Sequence, residues 1–324
     1  MAVERGWQRR YPHAELDPAS AGDLLGAAVL ELELLSGGLR NTNYRVRLEG
    51  PAPPMVLRLY TADAAACARE VALLQRVADR VPVPTVARAE PGANPPWALM
   101  EWLDGIRFDE MLVSATPAEV RQACFSAGSV LAAIHSVTFP GPGFLGPDLK
   151  IAEPMGYPWL SGVTEFFGQE RTRTLVGAEL AAAVVQLVDR ESWRLADVWG
   201  QSHLVHADYK PWNLLVRPMP DGWRISTVLD WEFSLSAPPL CDFGIFLRYS
   251  ARMPAEYVSG LIDGYRAAGG SVPQDVRNLA RLIDLVSLWT FLERAGTDAA
   301  IVRDIQPVLE ETVQAFSPGY LDTR

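Results

Sequence analysis

Residues 203–216 read HLVHADYKPWNLLV. Apolar Leu204-Val205 leads into a polar turn and Leu214-Leu215-Val216 leads out, so Asp208 and Asn213 can face one cleft between two strand ends. A second carboxylate stands downstream, where apolar residues 225–229 run into Asp230-Trp231-Glu232. A carboxylate at the end of a buried strand is costly unless it meets a cation or hydrogen-bond donors. Asp208, Asn213 and Asp230 form a hard, all-oxygen set that suits Mg²⁺, an ion that takes one or two carboxylates beside phosphate oxygens and water. Phosphoryl transfer needs this inventory: metal ligands, a carboxylate for the acceptor proton, and positive charge on the phosphates.

Elements must hold these residues. Residues 29–35, 43–48 and 55–60 have strand patterns, and Ser36-Gly37-Gly38 is a breaker between the first two. Residues 62–80 change to helical spacing, and Pro82 and Pro84 end that helix. Strands are expected at 85–89 and 97–102, so the first hundred residues predict a small antiparallel sheet carrying one main helix. Beyond Asp104-Gly105 the chain reads as helical at 117–137, 178–199, 255–268, 272–295 and 299–316, with a loop dense in Gly and Pro over 139–162. The predicted fold is therefore α+β in two lobes, residues 1–103 and 104–324.

The 324 residues are 49% hydrophobic and 21% charged, a globular composition. A net charge of −10 argues against nucleic acid or an anionic membrane as partner. No stretch is long and apolar enough for a membrane span. Cys67, Cys124 and Cys241 are odd in number and show no C-x-x-C pair, which reads as reduced thiols in a cytoplasmic protein. No obligate protein partner is evident.

His206-Ala207-Asp208-Tyr209-Lys210-Pro211-Trp212-Asn213 resembles the H-x-D-x-x-x-x-N catalytic loop of the protein-kinase-like superfamily. Tyr209, Pro211-Trp212 and the later V-L-D-W-E are similar to its aminoglycoside phosphotransferase and choline-kinase-like branch. LSGGLRNTNYRV (35–46) resembles that branch's Gly-Gly-x-x-Asn nucleotide loop. MVLRLY followed by A-R-E-V-A-L-L resembles its third strand and following helix, and L-M-E-W-L-D-G its interlobe hinge.

The resemblance implies a two-lobed protein-kinase-like fold and an ATP- and Mg²⁺-dependent transfer of the γ-phosphoryl group to a hydroxyl of a small molecule, such as an aminoglycoside, an amino-alcohol or a sugar-like metabolite. Asp208 is the implied catalytic base and Lys210 a stabiliser of the moving charge. Ser36, Gly37, Gly38 and Asn41 are implied at the phosphates with Arg58, which stands where many relatives have Lys and pairs with Glu70. Arg can fork across two phosphate oxygens, so the function survives that exchange. The backbone of Glu101 and Leu103 is implied at adenine, and Asn213 and Asp230 at the metal.

His206 is implied as a support of the catalytic loop. Cys241-Asp242-Phe243-Gly244 spells the D-F-G of protein kinases, but Asp230 ends the strand and takes the metal role; Asp242 then braces the loop from the start of a helix. Glu232 is divided between helping the metal or positioning the loop and a solvated acid. A protein kinase is disfavoured by the P-W-N and D-W-E segments. A pseudokinase or nucleotide-binding scaffold is disfavoured by the presence of Asp208, Asn213 and Asp230.

Overall fold

The computed structural model describes residues 4, 6–35, 38–156, 159–295 and 298–317. The chain opens with an irregular segment and a short helix α1 (Pro18–Leu25), whose N-cap Asp17 accepts from Ser20 N–H at 2.7 Å. Five strands follow: β1 (Val29–Leu35), β2 (Thr42–Leu48), β3 (Met55–Leu59) and, after helix α2 (Ala65–Val77), β4 (Val86–Glu90) and β5 (Trp97–Glu101). They form one antiparallel sheet in the order β1-β2-β3-β5-β4.

The period-two alternation of this sheet decides what reaches the cleft. Leu57, Leu59, Trp97 and Leu99 pack on one side with Tyr44, Val46 and Leu25. Ala98 and Met100 belong instead to the core that holds Ala66, Leu73, Leu74 and Val77 of α2. Arg58 is in register with Ala98, between Leu57 and Leu59, and so it is directed at α2 and Glu70.

The remainder is mainly helical. A two-residue strand β6 (Ile106–Arg107) leads to α3 (Phe108–Met111) and the long α4 (Pro117–His135). Helix α4 begins with Pro117 at N1 and a capping box in which Thr116 and Glu119 satisfy each other's backbone N–H. Then come β7 (Gly143–Leu145), β8 (Ile151–Pro154), α5 (Leu160–Gly168), α6 (Glu170–Val176) and α7 (Ala178–Glu191). Strands β9 (His203–Val205), β10 (Leu214–Met219), β11 (Gly222–Val228) and β12 (Leu235–Ala237) precede α8 (Leu240–Leu247), α9 (Ala255–Ala267), α10 (Val276–Ala295) and α11 (Ala299–Ala315). Two small sheets, β11-β10-β6 and β8-β7-β12-β9, hold the loops between these strands. Helices α4 and α9 lie backbone to backbone, because a Cβ at Gly128 would overlap the Leu261 carbonyl and one at Gly264 that of Phe125.

The fold is α+β, with an antiparallel sheet first and helices after it, as expected. Three boundaries differ from the sequence expectation. The segment 139–162, read as loop, contains β7, β8 and the start of α5, because strands of three and four residues are too short to show a period. The helix expected over 272–295 begins at Val276, after Pro273. The helix expected over 178–199 ends at Glu191 and gives way to a tighter 3₁₀ turn at Ser192–Leu195. Among the described residues no helix is long and apolar enough to cross a membrane.

Candidate active site

Strand β9 ends at Val205, and the polar turn after it is held from below. Asp242, in the first turn of α8 and without solvent exposure, accepts the backbone N–H of His206 and of Ala207, each at 2.8 Å. The same carboxylate meets His135 Nε2 at 3.0 Å, while Tyr265 Oη lies 3.0 Å from His135 Nδ1. Burial pushes the His135 pKa below its usual value, against the pull of Asp242, so the ring is held neutral. Ala207 takes φ = +61°, a left-handed conformation that residues with a Cβ rarely adopt. Its N–H bond to Asp242 fixes that kink, and Asp208 follows directly from it.

His206 joins this turn to the next strand. Its Nδ1 accepts from Asp208 N–H at 3.2 Å and its Nε2 donates to the Leu229 carbonyl at 2.9 Å. Its ring meets Trp231 edge-on, with centroids 4.8 Å apart. Asn213 Nδ2 donates to the Asp208 carbonyl at 2.9 Å and to its Oδ2 at 2.7 Å, and Leu229 N–H donates to the Asn213 carbonyl at 2.8 Å. Asp208, Asn213 and Asp230 are therefore parts of one knitted unit. Lys210 Nζ lies 2.8 Å from Asp208 Oδ1. Burial raises the Asp208 pKa above the ordinary carboxylate value although Lys210 opposes it, which makes the carboxylate a better proton acceptor.

The sheet side meets this unit through Arg58. Its Nε lies 3.2 Å from Glu70 Oε2, and its Nη1 donates to Asp230 Oδ1. Glu70 is fixed in turn by Tyr60 Oη at 2.7 Å and by Trp231 N–H at 3.1 Å. Burial would raise the Asp230 pKa, but the Arg58 guanidinium overrides it and holds the carboxyl below its usual range. Asp230 also has φ = +61°.

Ser36 and Gly37 lie outside the described residues. Gly38 and Asn41 turn their carbonyls toward Arg9, which donates to both, at 2.9 Å for Asn41. The Asn41 side chain donates to Glu232 Oε2 at 3.1 Å, and Arg40 Nε approaches the same oxygen at 3.3 Å. Glu232 is thereby tied to the loop between β1 and β2, and burial pushes its pKa up to about 7. Glu101 N–H is taken by the Thr85 carbonyl at 2.9 Å, and Glu101 is the sheet partner of Met55. Leu103 follows β5 in the connection to β6.

Asp230 and Asn213 can offer a divalent ion one carboxylate and one amide oxygen. Asn213 Nδ2 is spent on Asp208, which leaves Oδ1 as its donor atom, and the Asp230 side chain is 39% exposed. That donor set fits Mg²⁺ carried with phosphate oxygens. Trp102, Trp212, Trp231 and Trp289, candidates by position for an aromatic cage around a cation, do not converge. Trp231 is fully buried against His206, Trp289 packs on Phe166 and Arg45 covers Trp102. Trp212 alone of the four lines the recess of ≈ 420 Å³, partly open to solvent, that lies beside Lys210 and is walled by Phe246, Tyr249 and Tyr257.

Sequence reasoning missed Glu4, Arg9, Arg40, His135 and Tyr249 as neighbours of this centre. Arg9 and Glu4 act on partners far along the chain, and nothing local marks them.

The family model described as "Phosphotransferase enzyme family" (APH) matches residues 31–281. No curated protein matches in sequence. Among solved structures, a thermostable mutant of aminoglycoside phosphotransferase APH(4)-Ia, in ternary complex with ADP and hygromycin B, superposes with a TM-score of 0.67 at 18% identity, over 93% of this chain and 98% of that one. The streptomycin–ATP–APH(2")-IIa ternary complex gives a TM-score of 0.63 at 15% identity, over 94% and 99%. A putative aminoglycoside phosphotransferase from Ralstonia eutropha gives 0.61 at 19%, over 89% and 92%.

Proposed function

The chain belongs to the phosphotransferase enzyme family, a group of small-molecule kinases, and from that premise we propose that it transfers the γ-phosphoryl group of ATP to a hydroxyl of a small molecule in the cytoplasm. One observation carries the reading: Asp208, knitted to Asn213 and Lys210, stands on a loop joined through His206 and Leu229 to Asp230, and Asp230 meets Arg58 from the sheet. Residues 1–103 form the nucleotide lobe in this proposal, and residues 104–324 the catalytic and acceptor lobe.

Adenine lies against the Glu101 carbonyl and the Leu103 backbone. Gly38, Asn41 and their neighbours Ser36 and Gly37 cover the phosphates. Arg58, held by Glu70, is released from Asp230 to a phosphate oxygen as nucleotide enters. Asn213 and Asp230 hold Mg²⁺, which neutralises charge on the phosphate oxygens. Asp208 accepts the acceptor O–H proton as the new O–P bond forms and the bond from γ-phosphorus to the β–γ bridging oxygen breaks, leaving ADP. Lys210 offsets the charge on the moving phosphoryl group. Catalysis is then positioning and electrostatics.

The test is Mg²⁺-dependent ADP release over aminoglycosides, choline, ethanolamine, homoserine, methylthioribose and fructosamines, with Asp208→Ala as control. Acceptor-stimulated release that the substitution abolishes supports the proposal. Release that Asp208→Ala leaves intact would overturn the role of that residue, and an absence of ATP binding would overturn the nucleotide site.

A further inference from the structure

The segment before α1 is tied down at both ends of the cleft. On the helical side, Asp304 of α11 accepts Glu4 N–H at 2.9 Å and Trp7 Nε1–H at 3.0 Å, and the Trp7 ring meets Phe291 edge-on at 5.0 Å. On the sheet side, Arg9 donates to the carbonyls of Gly38, Arg40 and Asn41, and Ala14 N–H donates to Thr42 Oγ1 at 3.0 Å. At the helical-side anchor the Glu4 side chain is delivered into the centre. Its Oε2 accepts from Lys210 Nζ at 2.8 Å, and its Oε1 accepts from Tyr249 Oη at 3.2 Å and lies 3.6 Å from Arg248 Nη1. Arg248 is itself committed to Asp284 by two bonds of 2.8 and 2.7 Å. Lys210 thus stands between two carboxylates, Asp208 on its own loop and Glu4 from about two hundred residues away.

We propose that Glu4 is a positioning residue of the phosphoryl-transfer centre, carried there by the leading segment to hold Lys210 beside Asp208. A lysine stem has four rotatable carbons and no planar fork, so one carboxylate partner leaves its ammonium free to swing. Two partners, each at 2.8 Å, fix it. The catalytic consequence rests on the phosphotransferase reading; the contact with Lys210 does not.

The chain has only two lysines, which makes the contact measurable. Lys150 is 83% exposed at its side chain and Lys210 14%, so Lys150 is an internal standard. Amine acetylation of the full chain with limiting acetic anhydride at pH 8, read by mass spectrometry, gives the ratio of the two rates. In wild type Lys210 reacts far more slowly than Lys150. Glu4→Gln, which keeps shape and hydrogen bonding but removes the charge, raises the ratio about tenfold, because losing a facing carboxylate lowers an amine pKa by about one unit or more. Glu4→Asp, which keeps the charge, restores part of the protection.

In the acceptor-dependent reaction, Glu4→Gln lowers kcat about tenfold or more, with KM for ATP within twofold, and Glu4→Asp restores part of the loss. A labelling ratio within twofold of wild type overturns the proposal, whatever the kinetics show. A raised ratio with kcat unchanged makes the contact structural and overturns the positioning role. If wild type turns over no acceptor, the phosphotransferase reading fails by itself, and the labelling still decides whether Glu4 holds Lys210.

Discussion

The turn at residues 206–213 and the loop at residues 38–42 face the same cleft but are held in opposite ways. The first is fastened from within the helical part of the fold by buried groups: Asp242 under two backbone N–H groups, His135 under Asp242, and His206 bridging to Leu229. The second is fastened by side chains of distant segments, half-buried Arg9 on its carbonyls and buried Glu232 on Asn41. A buried carboxylate with every partner in place is expensive to disturb, so it suits a part whose geometry must not change. Half-buried arginine bonds are cheap to remake, which suits the phosphate-covering loop of the proposed function.

The largest effect should come from removing the inner brace. Asp242→Ala leaves two buried N–H groups and one imidazole without their acceptor, a loss of about 3–5 kcal/mol of folding stability. Urea unfolding at constant m-value measures it. A loss under about 1 kcal/mol would mean that the loop does not depend on Asp242, and the contrast between the two regions would collapse.

The inner brace should also be sensitive to acid. The folded-state pKa of His135 is depressed by burial, while its unfolded value is about 6.5. The unfolded chain therefore binds more protons between those two values, and stability falls as pH drops from about 6.5 through that window at up to about 1.4 kcal/mol per pH unit. Above about pH 7.5 this contribution is flat. Asp242, Tyr265 and His203 surround the ring, so the useful quantity is the difference between wild type and His135→Gln, measured by chemical unfolding from pH 5 to 8. A difference independent of pH would show that folding does not lower the His135 pKa.

The outer fastening predicts a different kind of loss. Arg9→Met should cost no more than about 1–2 kcal/mol of global stability. Its main result should be local: faster amide exchange within residues 38–43, with residues 206–213 unchanged. Equal acceleration of both stretches would mean that the loop and the turn open as one unit.

The two regions differed equally in how much of them the sequence disclosed. Asp208, Lys210, Asn213 and Asp230 were legible because strand ends and one tight turn place them together within a few tens of residues, and the types themselves announce metal and proton chemistry. Arg58 and Glu70 were legible because strand alternation and helical spacing bring them to one interface. Glu232 was suspected but its partner was not, since Asn41 lies 191 positions earlier. Glu4 and Arg9 sit in a segment with no period, cap or turn signal, and only tertiary contact assigns them partners. Helices α5 and α6 and the strands β7 and β8 were obscured for a related reason: each is short, and packing rather than local propensity stabilises it.

The smallest predicted effect isolates the backbone from the brace. Ala207 is held at φ = +61°, where a Cβ costs about 1 kcal/mol, and its N–H bond to Asp242 is what keeps it there. Ala207→Gly removes that strain but adds freedom to the unfolded chain worth about 0.4–1 kcal/mol. The two nearly cancel, so unfolding stability should stay within about 1 kcal/mol of wild type, and the turnover attributed to Asp208 should persist. In the Asp242→Ala background the same glycine should help more, because the kink no longer has its acceptor and must be adopted by intrinsic preference. A double-mutant cycle between the two sites therefore has a defined sign. Strict additivity would show that strain at Ala207 and the carboxylate of Asp242 act separately, and that the turn keeps its shape for a reason other than its inner brace.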